Sequence, residues 1–188
     1  MIQKTLHELT FAVYEDDEIT EILDRLIRDE LVECFPQDSD HFSHTRVWHT
    51  RPAWIVVGFT PDGTVAAYCA MVERTISVGD PPQYIQAAGV QGFSVRPVWR
   101  KRGVSDCMME IAATEAKSRG LDAGLLFCLP VLEKLYGRMG WHTINTPVMV
   151  RDEQGRPAPL PEKNIAMIIP LNRREFPGGE VNLMGSDW

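Results

Sequence analysis

The spacing of apolar residues changes along the chain and predicts where helices and strands lie. From Ile19 to Leu31 apolar residues recur at the period of an amphipathic helix, and Asp16 or Asp17 is expected to cap it. Short β-rich or alternating runs predict strands. The predicted strands are Leu9–Tyr14, Trp54–Phe59, Thr64–Ser77, Tyr84–Val95, Ala123–Cys128, Trp141–Val150 and Ile165–Leu171.

Two more helices are expected, over Lys101–Arg119 and Leu132–Met139. Pro36–Thr50 is polar and predicts a loop or short helix, and the proline-rich segment Arg151–Lys163 predicts a loop. Strands and helices alternate only in the second half of the chain, whereas the first half has a meander. This order predicts a mixed α/β (α+β) sheet, built as one domain from all 188 residues.

Composition narrows the class of protein. A hydrophobic content of 44% with 24% charged residues is typical of a soluble globular protein. No apolar run reaches the ~20 residues that a membrane span requires, and the first residues lack a signal-peptide pattern, so we expect a cytoplasmic protein with no membrane partner. The cysteines lack metal-ligand spacing, which predicts free thiols and no metal. The net charge of −7 argues against nucleic acid and is consistent with a cationic substrate.

The segment Gly92–Met109 carries the first functional motif. Phe93 and Val95 alternate with polar neighbours as in a half-buried strand, and Pro97 ends the strand pairing. A short basic loop and the start of an apolar-periodic helix follow. Free amides at a helix N-terminus bind phosphate, and cationic side chains add to that preference. The loop and helix start consist of Arg100, Lys101, Arg102, Gly103, Val104 and Ser105.

The second motif is Leu135–Trp141, which contains Tyr136 and follows a short buried strand. Together, and in this order, the two motifs resemble those of the GNAT acetyltransferase superfamily, whose acyl-CoA loop runs Arg or Gln, two residues, Gly, one residue, then Gly or Ala. Ser105 departs from that pattern but is small enough to fit. The resemblance covers roughly Leu9–Leu171.

The resemblance implies the GNAT acyl-CoA N-acyltransferase fold, a central, mostly antiparallel, twisted sheet flanked by helices. It implies acetyl-CoA as the acyl donor and coenzyme A as a product. The basic loop and helix start would hold the pyrophosphate, and Phe93, Ser94 and Val95 would pair with the pantetheine arm. Gly89 and Gly92 are compatible with the bulge that this arrangement uses. Tyr136 would protonate the leaving thiolate. The acetyl group would pass directly to the amine, without a covalent intermediate on Cys128.

Within the superfamily, the segment Gly89–Arg100 resembles aminoglycoside 2′-N-acetyltransferases, including the kasugamycin-acetylating branch. That likeness implies antibiotic resistance through acetylation of a small cationic amino sugar. It also implies that the tail 172–188 borders the acceptor pocket, with Asp187 and Trp188 contacting the acceptor. Asp38 and Asp40 are further candidates for binding its cationic groups.

The general base is the open point of this interpretation. The 2′-N-acetyltransferases often have a glutamate where this chain has Gln91, which we keep among the acceptor-side candidates although an amide is not a base. Glu73 on the neighbouring strand is a candidate replacement, and Asp187 and the Trp188 carboxylate are alternatives. A nodulation-type N-acyltransferase, an enzyme for another small amine, and a non-catalytic acyl-CoA-binding protein are competing functions. The oligomeric state stays open, with a homodimer among the options.

Overall fold

Eleven strands and four α-helices form within residues 3–152, 154–161 and 164–188, which the computed structural model describes. The strands are β1 (Gln3–Leu6), β2 (Leu9–Glu15), β3 (Trp54–Phe59), β4 (Val65–Val78), β5 (Gln83–Val95), β6 (Ala123–Cys128), β7 (His142–Ile144), β8 (Val148–Arg151), β9 (Pro157–Pro159), β10 (Ile165–Pro170) and β11 (Val181–Asn182). The helices are α1 (Glu21–Cys34), α2 (Ser39–His44), α3 (Val104–Ser118) and α4 (Glu133–Arg138).

The strands are hydrogen-bonded in the order β1-β2-β3-β4-β5-β6-β10-β7. Beside this path, β11 pairs with β4 and β8, and β9 pairs with β8. Pairing is antiparallel in the meander β1–β4, whereas β5 and β6 run parallel, with Ala88 opposite Gly124. Parallel pairing of β5 and β6 requires a crossover, and α3 is that crossover. These observations confirm the predicted mixed α/β class with a mostly antiparallel sheet flanked by helices.

The chain divides into two units. The first unit contains residues 1–71 and 91–112, and the second contains residues 72–90 and 113–188. β4, β5 and α3 each begin in one unit and end in the other. The prediction of a single domain stays a prediction.

Helix α1 packs the core of the first unit, where Ile27 and Leu31 are fully buried beside β3 and β4. Its N-cap is Thr20, whose hydroxyl accepts a hydrogen bond from the backbone N–H of Leu23 at 3.3 Å. The predicted cap at Asp16 or Asp17 is therefore wrong, because these residues form a separate 3₁₀ turn. Ile22, which the apolar period assigned to the buried face, is 66% exposed.

Three further element predictions need correction. Helix α3 begins at Val104 rather than at Lys101, because 101–103 form a turn. The predicted strand Trp141–Val150 is two strands, β7 and β8, since the segment between them contains Pro147, which has no N–H for strand pairing. The predicted loop 151–163 contains β9, and Glu153, Glu162 and Lys163 lie outside the described residues.

The tail is part of the core of the second unit. Val181 and Leu183 are fully buried, and Val181 pairs with Val78 of β4 and Val148 of β8. Trp188 is 6% exposed, and its ring lies 5.5 Å from the ring of Phe127, measured between centroids. A Cβ atom at Gly89 would lie 2.2 Å from the indole, so β5 carries no side chain where the indole packs.

We expect Gly89→Ala to lower the free energy of unfolding by about 1–3 kcal/mol, because the new methyl group and the Trp188 indole would occupy the same volume. Chemical denaturation followed by tryptophan fluorescence measures this change. Gly137→Ala is the matched control, because a Cβ there meets nothing within 4 Å and alanine favours the helix by up to about 1 kcal/mol. Equal stability of Gly89→Ala and the wild type would show that Gly89 does not hold the indole in place.

Candidate active site

Strand β5 changes its backbone conformation at Gly92, within the first unit. Gly92 has φ +60°, a left-handed value that interrupts the alternation of the strand and is typical of a β-bulge. A Cβ there would lie 3.2 Å from the Tyr68 ring, so the position is also crowded. The sequence analysis named two glycines as compatible with a bulge, and of the two only Gly92 has a left-handed φ.

The basic loop follows β5 through a 3₁₀ turn at Pro97–Trp99. Lys101 has φ +62° and Gly103 has φ +75°, so the backbone turns sharply twice before α3 begins. The Arg102 guanidinium lies 5.2 Å from the centre of the Trp99 ring. The ring of His7, in the turn between β1 and β2, is hydrogen-bonded through Nε2 to the Arg102 carbonyl at 3.0 Å. The loop is thus held at its carbonyl while its cationic side chains are exposed.

These features fit a phosphate group. Arg100, Lys101 and Arg102 are exposed, and a Cβ at Gly103 would meet nothing within 4 Å, so the surface beside the helix start is open. The first amides of α3 have no partner within the helix and carry the positive end of its dipole. Val104 is buried and anchors the helix start.

A buried polar cluster lies behind the loop. Glu30 of α1 is fully buried and accepts two hydrogen bonds, from the Ser94 hydroxyl at 2.7 Å and from the Cys34 thiol at 3.1 Å. Burial raises the pKa of Glu30 to about 7, against the effect of the Ser94 hydrogen bond. Arg100 donates through Nε to the Val95 carbonyl at 2.8 Å, and its charge opposes the rise in the pKa of the Cys34 thiol.

The sequence analysis missed Glu30, although a signal existed. Glu30 lies three residues after Ile27 and four after Leu26, on the apolar face of α1, where a charged residue requires a buried partner.

Gln91 is 3% exposed, and both ends of its amide are engaged. Its Oε1 accepts from the backbone N–H of Trp48 at 2.8 Å, and its Nε2 donates to the carbonyl of Thr50 at 2.8 Å. The side chain therefore fixes the loop around His49. Its amide leaves little opportunity for the acceptor contact that we predicted.

The acidic candidates of the first unit are Asp38 and Asp40. Asp38 is in a 3₁₀ turn and Asp40 in α2, where its carbonyl accepts from Ser43 and its carboxylate is on the surface.

A separate groove of about 690 Å³ lies at the start of α1. It is lined by equal numbers of acidic and basic residues, and its buried Asp16 forms ion pairs with Arg46 and Arg51. Within residues 3–152, 154–161 and 164–188, no group of His, Cys, Asp and Glu could hold a metal ion.

In the second unit, Tyr136 lies on α4 and is 6% exposed. Its ring meets that of Trp141 edge to face, with 6.3 Å between the centroids. The backbone of α4 closes through hydrogen bonds from Trp141 N to the Tyr136 carbonyl (3.2 Å) and from Gly140 N to the Gly137 carbonyl (3.1 Å). Gly140 has φ +89°, the left-handed conformation expected after a helix. The Trp141 ring and the closed helix end therefore fix the position of Tyr136.

The acceptor-side candidates of the second unit are already engaged. Glu73 on β4 forms an ion pair with Arg119, with 3.1 Å between Oε1 and Nη1. The next residue, Arg74, points to the other face of the strand and lies 5.1 Å from the centre of the Trp188 ring. Asp187 interacts electrostatically with Arg74. Glu73 and Trp188 thus belong to opposite faces of β4.

All four cysteines are free thiols with raised pKa values, and burial is the largest cause in each case. Burial raises the pKa of Cys34 and of Cys69 to about 12 and that of Cys128 to about 11. The Cys128 thiol lies 3.9 Å from the Met167 sulfur. A thiol with such a pKa is almost entirely protonated at neutral pH and is a poor nucleophile.

Comparison with protein families gives one match. Residues 14–144, more than half of the chain, match the family model for an acetyltransferase (GNAT) domain. No curated protein sequence matches the chain.

Solved structures share the fold at low sequence identity. Escherichia coli ElaA superposes with a TM-score of 0.62 at 12% identity, covering 86% of this chain and 99% of its own. An acyl-CoA N-acyltransferase from Pseudomonas aeruginosa gives 0.60 at 16% identity, with coverage of 86% and 99%. The E. coli GNAT family N-acetyltransferase YhbS, solved in complex with CoA, gives 0.57 at 16% identity, with coverage of 97% and 93%. At these identities the likeness concerns the fold alone.

We expect Gln91→Glu to destabilise the protein at alkaline pH. The carboxylate can accept from Trp48 N–H, but it has no hydrogen to donate to the Thr50 carbonyl, at a cost of about 1–3 kcal/mol. Burial beside that carbonyl would raise the pKa of the new carboxyl, whose protonated form is a donor. Stability is then retained at low pH and lost as the pH rises through that pKa.

Urea denaturation of Gln91→Glu at pH 5 and pH 8 tests this sign. Gln86→Glu is the control, because Gln86 is exposed and its Oε1 accepts from the Thr75 hydroxyl, a contact that a carboxylate keeps. Equal losses of stability at both pH values would contradict the assigned role of Gln91.

Proposed function

Because the chain belongs to the GNAT acetyltransferase family, we propose that it acetylates an amino group of an aminoglycoside-type antibiotic. The family gives the broader activity, N-acetylation with acetyl-CoA as donor, and a structural neighbour binds CoA. The 2′-amino group and the kasugamycin branch are the narrower forms of this proposal. They rest on the likeness of Gly89–Arg100 to 2′-N-acetyltransferases and on the net charge of −7, which favours cationic substrates.

The observation that carries the proposal is the open cationic turn at the start of α3. Arg100, Lys101 and Arg102 are exposed there, and Gly103 leaves space for an anion beside the helix amides. These residues, with Val104 and Ser105, would bind the pyrophosphate of acetyl-CoA. The left-handed break at Gly92 supports a role for 93–95, since a bulge turns backbone amides away from the neighbouring strand. Those amides would pair with the pantetheine arm.

The proposed reaction is a direct transfer. The nitrogen of a neutral amine attacks the carbonyl carbon of the thioester, a new C–N bond forms, and the C–S bond breaks. The leaving thiolate takes a proton from the hydroxyl of Tyr136, the amine gives its proton to solvent, and the Tyr136 phenolate regains a proton from solvent. The raised pKa of Cys128 supports this one-step course, because the thiol is poorly suited to accept the acyl group first.

The proposal assigns supporting positions to the remaining candidates. Gln91 would hold the loop 48–50 through its two amide hydrogen bonds. Glu73 is paired with Arg119, and it would have to leave that partner to act as a base. Aminoglycoside amines that are neutral in part near neutral pH need little help from a base. Asp38, Asp40 and Asp187 remain candidate contacts for the cationic groups of the acceptor.

A thiol-release assay with acetyl-CoA tests the proposed substrate class. We expect CoA release with aminoglycosides, kasugamycin included, above the release with polyamines and peptide N-termini. Release with another amine and with no aminoglycoside would overturn the aminoglycoside assignment and leave N-acetylation intact. Replacing acetyl-CoA by long-chain acyl-CoA donors in the same assay tests the nodulation-type alternative.

We expect Tyr136→Phe to lower kcat by roughly 10²- to 10⁴-fold, the usual contribution of a positioned proton donor. The KM for acetyl-CoA should change little, because the phenylalanine ring keeps the contact with Trp141. Tyr84→Phe is the matched control, since Tyr84 is 61% exposed. An unchanged kcat in Tyr136→Phe would remove the proton-donor role from this residue.

A further inference from the structure

A set of polar interactions joins α1, the end of β5 and the basic loop. Ser94 donates to Glu30, which also accepts from Cys34. The charge of Arg100 opposes the rise in the pKa of Cys34, and Arg100 donates to the carbonyl of Val95, the residue after Ser94. We call these five residues the polar ring. Its only carboxylate is fully buried.

We propose that Glu30 is a positioning residue for acetyl-CoA, and that its protonation state sets the affinity of the basic loop for the cofactor. The inference rests on the proposed function, which assigns 93–95 and the loop to acetyl-CoA. Glu30 is linked to the loop through one residue, because the Cys34 thiol interacts with both Glu30 and the guanidinium of Arg100.

The hydrogen bonds give Glu30 two distinct states. As a carboxylate it accepts from Ser94 at one oxygen and from Cys34 at the other. As a carboxylic acid it has a hydrogen of its own, and the Ser94 hydroxyl has to accept it and turn its own hydrogen elsewhere. The Cys34 thiol stays protonated in both states, because burial and Glu30 raise its pKa to about 12. The proton on Glu30 therefore reverses one hydrogen bond at the strand that the cofactor is proposed to pair with.

The charges around Glu30 decide which state the cofactor favours. Arg96, Glu33 and Arg100 are the charged groups near the polar ring, and Arg96 is already paired with Glu33. Acetyl-CoA carries several negative charges on its phosphates. A polyanion bound at Arg100 repels the ionised form of Glu30, so binding favours the protonated form. Affinity for CoA must then fall as the pH rises through the pKa of Glu30, which lies near 7.

Glu30→Gln is the test variant, because the amide keeps the shape and an acceptor oxygen but never ionises. Calorimetric titration with CoA at pH 6.0 and pH 8.5 should give equal affinities for the wild type and Glu30→Gln at the lower pH. At the higher pH we expect Glu30→Gln to bind CoA about twofold to tenfold more tightly, the range that Coulomb's law gives for one charge at intermediate dielectric. If the ratio of the CoA affinities of Glu30→Gln and the wild type is the same at both pH values, the proposal is overturned.

Two further readouts separate this effect from a structural one. The phosphates of CoA titrate identically in every variant, so the difference between variants reports on the protein. Near pH 7 the wild type should take up more protons per CoA bound than Glu30→Gln, which titration in buffers of different ionisation enthalpy measures. Ser94→Ala should move the midpoint of the wild-type pH dependence upward, because the hydrogen bond from Ser94 lowers the pKa of Glu30. If the midpoint does not move, the role assigned to the hydrogen bond between Ser94 and Glu30 is wrong.

Two controls complete the experiment. Glu33→Gln removes a charge three residues further along α1, from a partly exposed carboxylate paired with Arg96. It should keep the pH dependence of the wild type with its midpoint moved downward, because Glu33 raises the pKa of Glu30. Arg100→Ala with Arg102→Ala should weaken CoA binding at both pH values. If the double variant binds CoA as the wild type does, the proposed cofactor site fails. If it binds weakly while Glu30→Gln follows the wild type, only the role of Glu30 fails.

Discussion

Two positions of β5 must lack a side chain, and the two units depend on them for different reasons. At Gly92 the constraint is conformational, because φ +60° is strained for other residues and the Tyr68 ring crowds the position. At Gly89 the constraint is steric, since the Trp188 indole fills the space that a Cβ would need. Gly92 sets the course of the strand before Ser94 and Val95. Gly89 allows the tail to join the core of the second unit.

Short-range patterns predicted much of the fold. The strands Trp54–Phe59 and Ala123–Cys128 were predicted to the residue, because each is a short apolar run bounded by turn-forming residues. The prediction of the N-cap of α1 failed because two nearby residues are both suitable caps. Thr20 and Asp16 are both good helix caps by residue type. Only the fold shows that Asp16 is buried as the ion-pair partner of two arginines.

The residues of the candidate site also differ in how far the sequence could predict them. The loop residues and Tyr136 were predicted from the sequence because their spacing along the chain is itself the signal. The hydrogen bond from Ser94 to Glu30 and the amide contacts of Gln91 join residues 41 to 64 positions apart, and residue order alone does not reveal such pairs. Resemblance placed Gln91 among the acceptor-side candidates, whereas the hydrogen bonds show an amide that holds a loop. The basic loop was predicted from the sequence, whereas the position of Glu30 on the apolar face of α1 gave a signal whose partner only the fold reveals.

The burial of the cysteines has a consequence for the chemistry of a thioester enzyme. Activated acyl groups acylate any accessible thiolate, and the CoA that is released forms mixed disulfides with reactive thiols. All four thiols have raised pKa values, so they contribute little thiolate to either side reaction. Self-acylation and disulfide formation with free CoA are therefore disfavoured in this chain. That chemical inertness lies in the packing of its sulfur atoms rather than in a dedicated protective group.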